Sequence, residues 1–379
     1  MQAPAKERLT SIDALRGSVM LLMLVDHVRE YFYLHQQVSD PMLIGATAPA
    51  LFFTRLTSHV CAPIFVLLTG LSARLYGSKA GRGPGDTAAY MAKRGLLLVA
   101  LELTVINFAW SFAFPPPMFY LQVIWVIGLS MLALAALLWL PSGVQLALAC
   151  LILCGHNLLD GIHFASGSPG FIPWAILHDR SIIDLGGGLQ ARTSYPLLPW
   201  IGIILAGYLL GGWYGPDAAP KARARRLALA GGAAVAGFVL LRWLNSYGDA
   251  RWAPGATALD TAMSFLNVTK YPPSLHFSLL TLGLGLLALG WLERVRPWPA
   301  LIRFGSVPMF FYVAHLYMLH LLHDLLGALD GPGDGSRYGL SAVWQIWALA
   351  VLVAVVMYWP CRWFSRIRRT TSAGWLSYF

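Results

Sequence analysis

Long apolar runs separated by short polar breaks dominate the chain, and the runs have the length of membrane crossings. A helix that spans about 30 Å of hydrocarbon needs about 20 mainly apolar residues. Ten stretches fit: 12–34, 57–77, 88–112, 118–140, 143–159, 196–214, 226–245, 272–292, 304–326 and 340–360. The shortest, 143–159, is divided from its predecessor only by Pro141-Ser142. Residues 42–56 read as an amphipathic or re-entrant approach to the second span. Helix-stopping residues such as Pro115-Pro116-Pro117 and Gly331-Pro332-Gly333 fall between spans, where they belong. The predicted fold class is all-α, a polytopic transmembrane helix bundle forming one domain over residues 1–379. No soluble domain and no internal repeat stands out.

Composition agrees. Hydrophobic residues make up 57% of the chain and charged residues only 12%, against about 25% charged in soluble domains. This excludes a disordered chain, a collagen-like repeat and a small disulfide scaffold. Cys61, Cys150, Cys154 and Cys361 lie in or beside apolar segments, and the Cys150/Cys154 spacing suits helix packing. Basic residues precede the first apolar run as in a signal peptide, but that run holds Asp26 and His27 and no small-residue cleavage site follows. It is read as a retained first span.

The formal net charge of +10 reports orientation rather than nucleic acid. Lys/Arg crowd cytoplasmic loops in membrane proteins. Here they crowd alternate loops: Lys6 and Arg8; Arg74, Lys79, Arg82, Lys93 and Arg94; Lys221, Arg223, Arg225 and Arg226; Arg294, Arg296 and Arg303; Arg362, Arg366, Arg368 and Arg369. The opposite loops hold fewer: Arg55, Arg180, Arg192, Arg251, Lys270 and Arg337. Ten spans and this bias put both termini in the cytoplasm. The longer connections, 35–56, 160–195, 246–271 and 327–339, then face outward.

Ionisable residues inside a span cost free energy, so each marks a candidate site. The first span carries Asp13, Arg16, Asp26, His27, Arg29 and Glu30. Asp13 and Arg16 stand i,i+3 and should pair. Arg16 and His27, eleven residues apart, share one helix face about 16 Å apart along the axis. A cation near the cytoplasm and an imidazole deeper in suit a long anionic donor such as a phosphopantetheine thioester. Asp26, the neighbour of His27, points about 100° away from it and is placed to orient another group. Other polar residues gather towards the outer side. They are His59, His156, Asn157 and Asp160, the segment Asn267 to Ser274 with Lys270 and Tyr271, and His315, His320, His323 and Asp324. Asp160 and Asp324 read as helix-end caps. His320 and His323 could share a metal ion, but no metal-ligand motif supports it and no metal is expected. Nucleotide-binding loops and a serine-hydrolase elbow are not found.

These residues resemble known families. Ser11 to Gly17 together with His27 is similar to the first helix of acyltransferase-three membrane acyltransferases, where an Arg and a His at this spacing handle the acyl donor and catalysis. More of the chain resembles bacterial proteins of the heparan-alpha-glucosaminide N-acetyltransferase-like family. The matching pieces are Ser58 to Pro63, Leu121 to Gly128, Gly155 to Asn157, Tyr195 to Trp200, Asn267 to Ser274 and Gly305 to His315. In the animal lysosomal member the catalytic His lies between the first two spans, where this chain offers no clear equivalent. The resemblance implies a transmembrane acyl transfer, from cytoplasmic acyl-CoA, most simply acetyl-CoA, to a hydroxyl or amine of a sugar or glycan at the outer face. His27 (general base or brief acyl carrier), Asp26 and His59 are the candidate catalytic residues. Arg16, Asp13 and Trp125 are candidate acyl-CoA contacts, and His156, Asn157, Asn267, Lys270, Tyr271 and His315 candidate acceptor contacts. Expected partners are the lipid bilayer, acyl-CoA and a soluble or lipid-linked sugar, without nucleic acid; a homodimer is compatible, and the expected location is a bacterial inner membrane. The alternative is a proton-coupled transporter relaying protons through the same His and Asp residues, or a non-enzymatic membrane partner.

Overall fold

A computed structural model describes residues 9–33, 38–215, 218–330 and 338–371. Residue 34 of the first predicted span, Lys6, Arg8, Arg337 and the Gly331-Pro332-Gly333 break lie outside these residues. The order of elements is α1 (Thr10–Phe32), α2 (Pro49–Ser58), α3 (Cys61–Gly77), and α4 (Pro84–Leu101), which runs through a π turn (Glu102–Ile106) into α5 (Asn107–Ser111). Next come β1 (Phe119–Leu121), α6 (Val123–Leu137), α7 (Ser142–Gly155) with a 3₁₀ turn (His156–Leu159), α8 (Phe171–Leu177), β2 (Ile182–Gly186) and β3 (Leu189–Thr193). The rest is helical: α9 (Leu198–Leu210), α10 (Pro220–Leu244), α11 (Ala258–Leu266), α12 (Leu275–Leu292), α13 (Pro299–Gly305), α14 (Pro308–Asp330) and α15 (Val343–Thr370).

Each of the ten apolar stretches is occupied by helix. Six helical stretches are long and apolar enough to cross a membrane: Pro49–Gly77, Ser142–Leu159, Pro220–Leu244, Leu275–Leu292, Pro308–Leu329 and Val343–Arg368. Val123–Leu137 and Leu198–Tyr214 are apolar but shorter. Large apolar side chains on α10 and α15, among them Trp243, Trp344, Trp359 and Trp363, are exposed, as a lipid-facing surface requires.

Three expectations need correction. The fold is not purely α, because β1, β3 and β2 form a small sheet in that order. β2 and β3 are an antiparallel hairpin turning on Gly187-Gly188, both at positive φ, where glycine carries no side-chain penalty. β1 pairs parallel to β3, so residues 119–121, assigned to a span by their apolarity, are strand instead. The approach to the second span is a true helix, α2, joined to α3 at His59. Pro63 lacks the N–H that would bond the residue 59 carbonyl, so the two helices break there. The ninth stretch also breaks, at Ser306-Val307 between α13 and α14.

Paired glycines bring the central helices together. A Cβ on Gly70 of α3 would stand 2.0 Å from the Ile204 carbonyl oxygen of α9, and one on Gly207 of α9 2.0 Å from the Leu67 carbonyl of α3. Gly17 of α1 and Gly305 of α13 meet in the same reciprocal way. Small residues permit such backbone contact where lipid offers helices no hydrophobic drive to associate. The Gly17–Gly305 contact also delivers the Gly305 carbonyl to Arg16, whose Nη1 donates to it at 3.0 Å.

Candidate active site

The buried polar residues fall into two groups. The first lies where α1, α14 and the α2–α3 joint converge. His27 and His315 stand side by side with coplanar rings, and His27 Nδ1 is 2.7 Å from His315 Nε2. His315 Nδ1 is in turn 2.7 Å from the Phe311 carbonyl oxygen. A carbonyl only accepts, so His315 carries its proton on Nδ1 and presents the lone pair of Nε2. His27 therefore donates from Nδ1, which leaves its Nε2 as the basic nitrogen. That Nε2 has no hydrogen-bond partner among the described residues. Trp110 and Tyr312 meet the His27 ring edge-on, with centroids 5.4 and 5.8 Å away.

Asp26 does not serve His27. Its carboxylate accepts from Arg29 Nε at 3.0 Å and from the Arg55 guanidinium of α2. The 100° offset between neighbours on a helix thus separates an imidazole pair from an ion cluster of two guanidiniums around one carboxylate, all buried. Arg29 also reaches Glu30 at 3.0 Å. His59 is 2% exposed at the α2–α3 joint, its ring 5.4 Å from Phe277. Lys270 completes this neighbourhood. It is 3% exposed, its ammonium lies over the rings of Tyr271 and Tyr195 at 5.0 and 5.8 Å, and it makes no ion pair among the described residues. The loop that carries it is pinned by Asp249, which accepts from Thr269 and Ser274, and by the Asp40 carboxylate on the Lys270 N–H at 3.2 Å. Burial pushes the Asp40 carboxyl above its ordinary range, and Arg55, the Lys270 N–H and the Lys270 charge pull it back. The net shift is upward, burial being the largest cause.

Beside Trp110 a cavity of about 450 Å³ opens. Its walls include Tyr31, Asn107, Trp110, Tyr120 and His320, with the Tyr31 and Trp110 rings stacked at 4.9 Å. Trp110 thus separates this cavity from His27. A larger cleft of about 620 Å³ between residues 44–49 and 253–264 offers mostly backbone and small side chains, and its Asp260 is spent on capping α11.

The second group stands apart at the end of α7. His156 and His178 are buried, and Asp160 is exposed. Asp160 stands at the end of the 3₁₀ turn, as the helix-end reading expected, and His178, not singled out from the sequence, lies beside it. Asn157 and Asn267, candidate acceptor contacts, are spent on structure: Asn157 accepts from the Leu275 N–H at 2.9 Å and donates to Asp160, while Asn267 clamps both backbone groups of Met42. His320 and His323 each stand 3.6 Å from an oxygen of the Asp324 carboxylate, but their closer bonds go to different carbonyls. His320 donates to the Ala109 carbonyl and stacks on Phe112, whereas His323 reaches the Tyr338 carbonyl.

The expected donor contacts separate as well. Arg16 pairs with Asp13 at 3.1 Å and reaches Gly305 and Ser72. Trp125 instead opens α6 on the Glu102 carboxylate, its N–H donating at 3.0 Å. The Tyr120 carbonyl just before it bonds Asn107, and Tyr120 shares the cavity with Tyr31, fifteen residues or about 22 Å along α1 from Arg16. Sequence reading missed Arg55, Tyr195 and Trp110. Arg55 sits one helical turn before His59, a spacing that could have shown it; Trp110 carried no such signal, because only the packing of α5 turns it to His27.

No curated protein matches the chain. The family model described as heparan-alpha-glucosaminide N-acetyltransferase, catalytic, matches residues 8–241, a span that includes His27, Arg55, His59, Trp110 and Tyr195 and stops short of Lys270 and His315. A multi-pass helical bundle with buried, directed imidazoles is consistent with a membrane acetyltransferase-type enzyme. Matched over well more than half its length, the chain belongs to the heparan-alpha-glucosaminide N-acetyltransferase catalytic family.

Proposed function

We propose that the protein transfers an acetyl group from cytoplasmic acetyl-CoA to a sugar hydroxyl or amine at the outer face, across a bundle of ten spans with both termini in the cytoplasm. The observation that carries this reading is the relay from Phe311 through His315 to His27, which leaves one imidazole nitrogen basic and undirected in a buried, aromatic setting. The acceptor gives its proton to His27 Nε2 as its oxygen or nitrogen attacks the thioester carbon. The C–S bond then breaks, and the proton passes to the departing thiolate, so the products are the acetylated acceptor and free CoA. Lys270, a buried ammonium without an ion-pair partner among the described residues, stabilises the oxyanion that forms on the way. The stacked Tyr31 and Trp110 rings suit the apolar face of a sugar ring in the adjoining cavity. Arg16 attracts the donor's phosphates from the cytoplasmic end.

The test uses the full chain in detergent or proteoliposomes with labelled acetyl-CoA. Turnover to free CoA or acetylated acceptor is expected, with a melting temperature raised by CoA esters. His27→Ala should lower the rate about 10²–10⁴-fold while the fold is kept. Wild-type turnover in the variant removes His27 from the chemistry, and the absence of both turnover and CoA stabilisation favours the transporter reading.

A further inference from the structure

The second histidine group is built like a metal site. His156 opens the 3₁₀ turn that ends α7, and Asp160 closes it. His178 arrives from the end of α8, where it stacks on Trp174 at 5.1 Å and 22°. One ligand atom from each of the three lies within 4.8 Å of the others. His178 Nε2 and Asp160 Oδ1 are 3.5 Å apart, which is too long for a good hydrogen bond. It matches instead the spacing of two ligands that share a tetrahedral ion at about 2.1 Å, roughly 3.4 Å.

Two further observations point to an ion. His156 is 2% exposed, and neither ring nitrogen has a partner of good hydrogen-bond geometry; the Pro273 carbonyl makes a weaker contact with the ring. Buried imidazoles seldom go without a partner. The surrounding groups also fix the ligands in place. Asn157 Nδ2 donates to Asp160 Oδ2 at 2.9 Å, as the partners of metal ligands do, and Trp174, which stacks on His178, is itself held by the Ile162 carbonyl at 2.7 Å. The exposed Asp160 leaves a route in from the aqueous side.

We infer that His156, Asp160 and His178 bind one divalent transition-metal ion, zinc by their two-nitrogen, one-oxygen donor set, with a coordination position left open. His178 Nε2 now points to the His156 carbonyl at 3.1 Å. Binding through Nε2 moves that proton to Nδ1 and gives up the bond to the His156 carbonyl. The ion joins the 160–178 connection to the end of α7, and Asn157, held at once by Asp160 and by the Leu275 N–H, carries the clamp to the start of α12. None of this depends on acetyl transfer.

The experiment takes the full chain without a polyhistidine tag, strips it with EDTA, loads it with zinc chloride, dialyses it and counts zinc by mass spectrometry. About one zinc per chain is expected, with a melting temperature that zinc raises relative to EDTA. In the cobalt-loaded chain, visible d–d absorption should be that of a low-symmetry site with nitrogen and oxygen ligands. Asp160→Asn and His178→Ala should each weaken retention at least about tenfold, and the Asp160→Asn protein should melt like the wild type in EDTA. Should a variant fail to fold, the wild-type stoichiometry, melting shift and cobalt spectrum still decide. No zinc retained by the wild type, or equal retention by the folded variants, overturns the inference.

Discussion

The two histidine groups of this protein use one side chain in opposite ways. In the inner one, His27 and His315 are enclosed by α1, α14 and aromatic rings, and each proton has an assigned place. In the outer one, two imidazoles stand near an exposed carboxylate, and His156 has no partner of good hydrogen-bond geometry. A buried imidazole with one directed proton acts as a base of fixed orientation. Two imidazoles and a carboxylate at ligand spacing, with one open side, make a site for an ion. Residue type does not separate these outcomes; the bonds made by the other ring nitrogen do.

The largest effect expected from breaking this contrast is at Asp26. Asp26→Asn leaves Arg29 and Arg55 without their shared carboxylate in a buried place, where removing one partner costs about 3–5 kcal/mol. Denaturation of the detergent-solubilised variant measures it. Next comes His315→Phe, which removes the acceptor that holds the His27 proton. A fall of about 10–100-fold in kcat with little change in the KM for acetyl-CoA is expected, with partial rescue by His315→Gln, whose carbonyl can still accept. Trp110→Ala opens the wall between His27 and the cavity. The acceptor KM should rise about tenfold, the loss of roughly 1.4 kcal/mol of stacking. The smallest effect belongs to the outer group. In metal-free protein Asp160→Asn should change stability by less than about 1 kcal/mol, since the amide oxygen can still accept from Asn157, His178 is 3.5 Å away and the carboxylate is half exposed.

How much of this was legible in the sequence depends on the kind of contact. Apolar length located the long helices but not α8 and α11, which lie in segments read as connections, and i,i+3 spacing predicted the Asp13–Arg16 pair, because both are properties of a single helix. The turn of the helix also showed that Asp26 would face away from His27; that it faces Arg55 depends on how α2 packs. His315 was a candidate, but its bond to His27 joins residues far apart in the chain, and no local pattern encodes it. The strand at Phe119–Leu121 was concealed by its apolarity, since a short apolar run reads equally as strand or span. The Gly186-Gly187-Gly188 turn between two alternating segments was a readable hairpin signal. His178 stayed hidden because its ligand partners lie a long connection away.

The central claim is that acyl transfer takes place at His27 Nε2. A structure of the full chain with a non-hydrolysable acetyl-CoA analogue tests it most directly. A base within about 3.2 Å of the acceptor, and an acceptor within about 3.5 Å of the thioester carbon, place that carbon about 7 Å or less from Nε2. Such a position, with the phosphates towards Arg16, is the predicted result. A thioester carbon seated beside His156 and His178, or anywhere beyond reach of His27, contradicts the account.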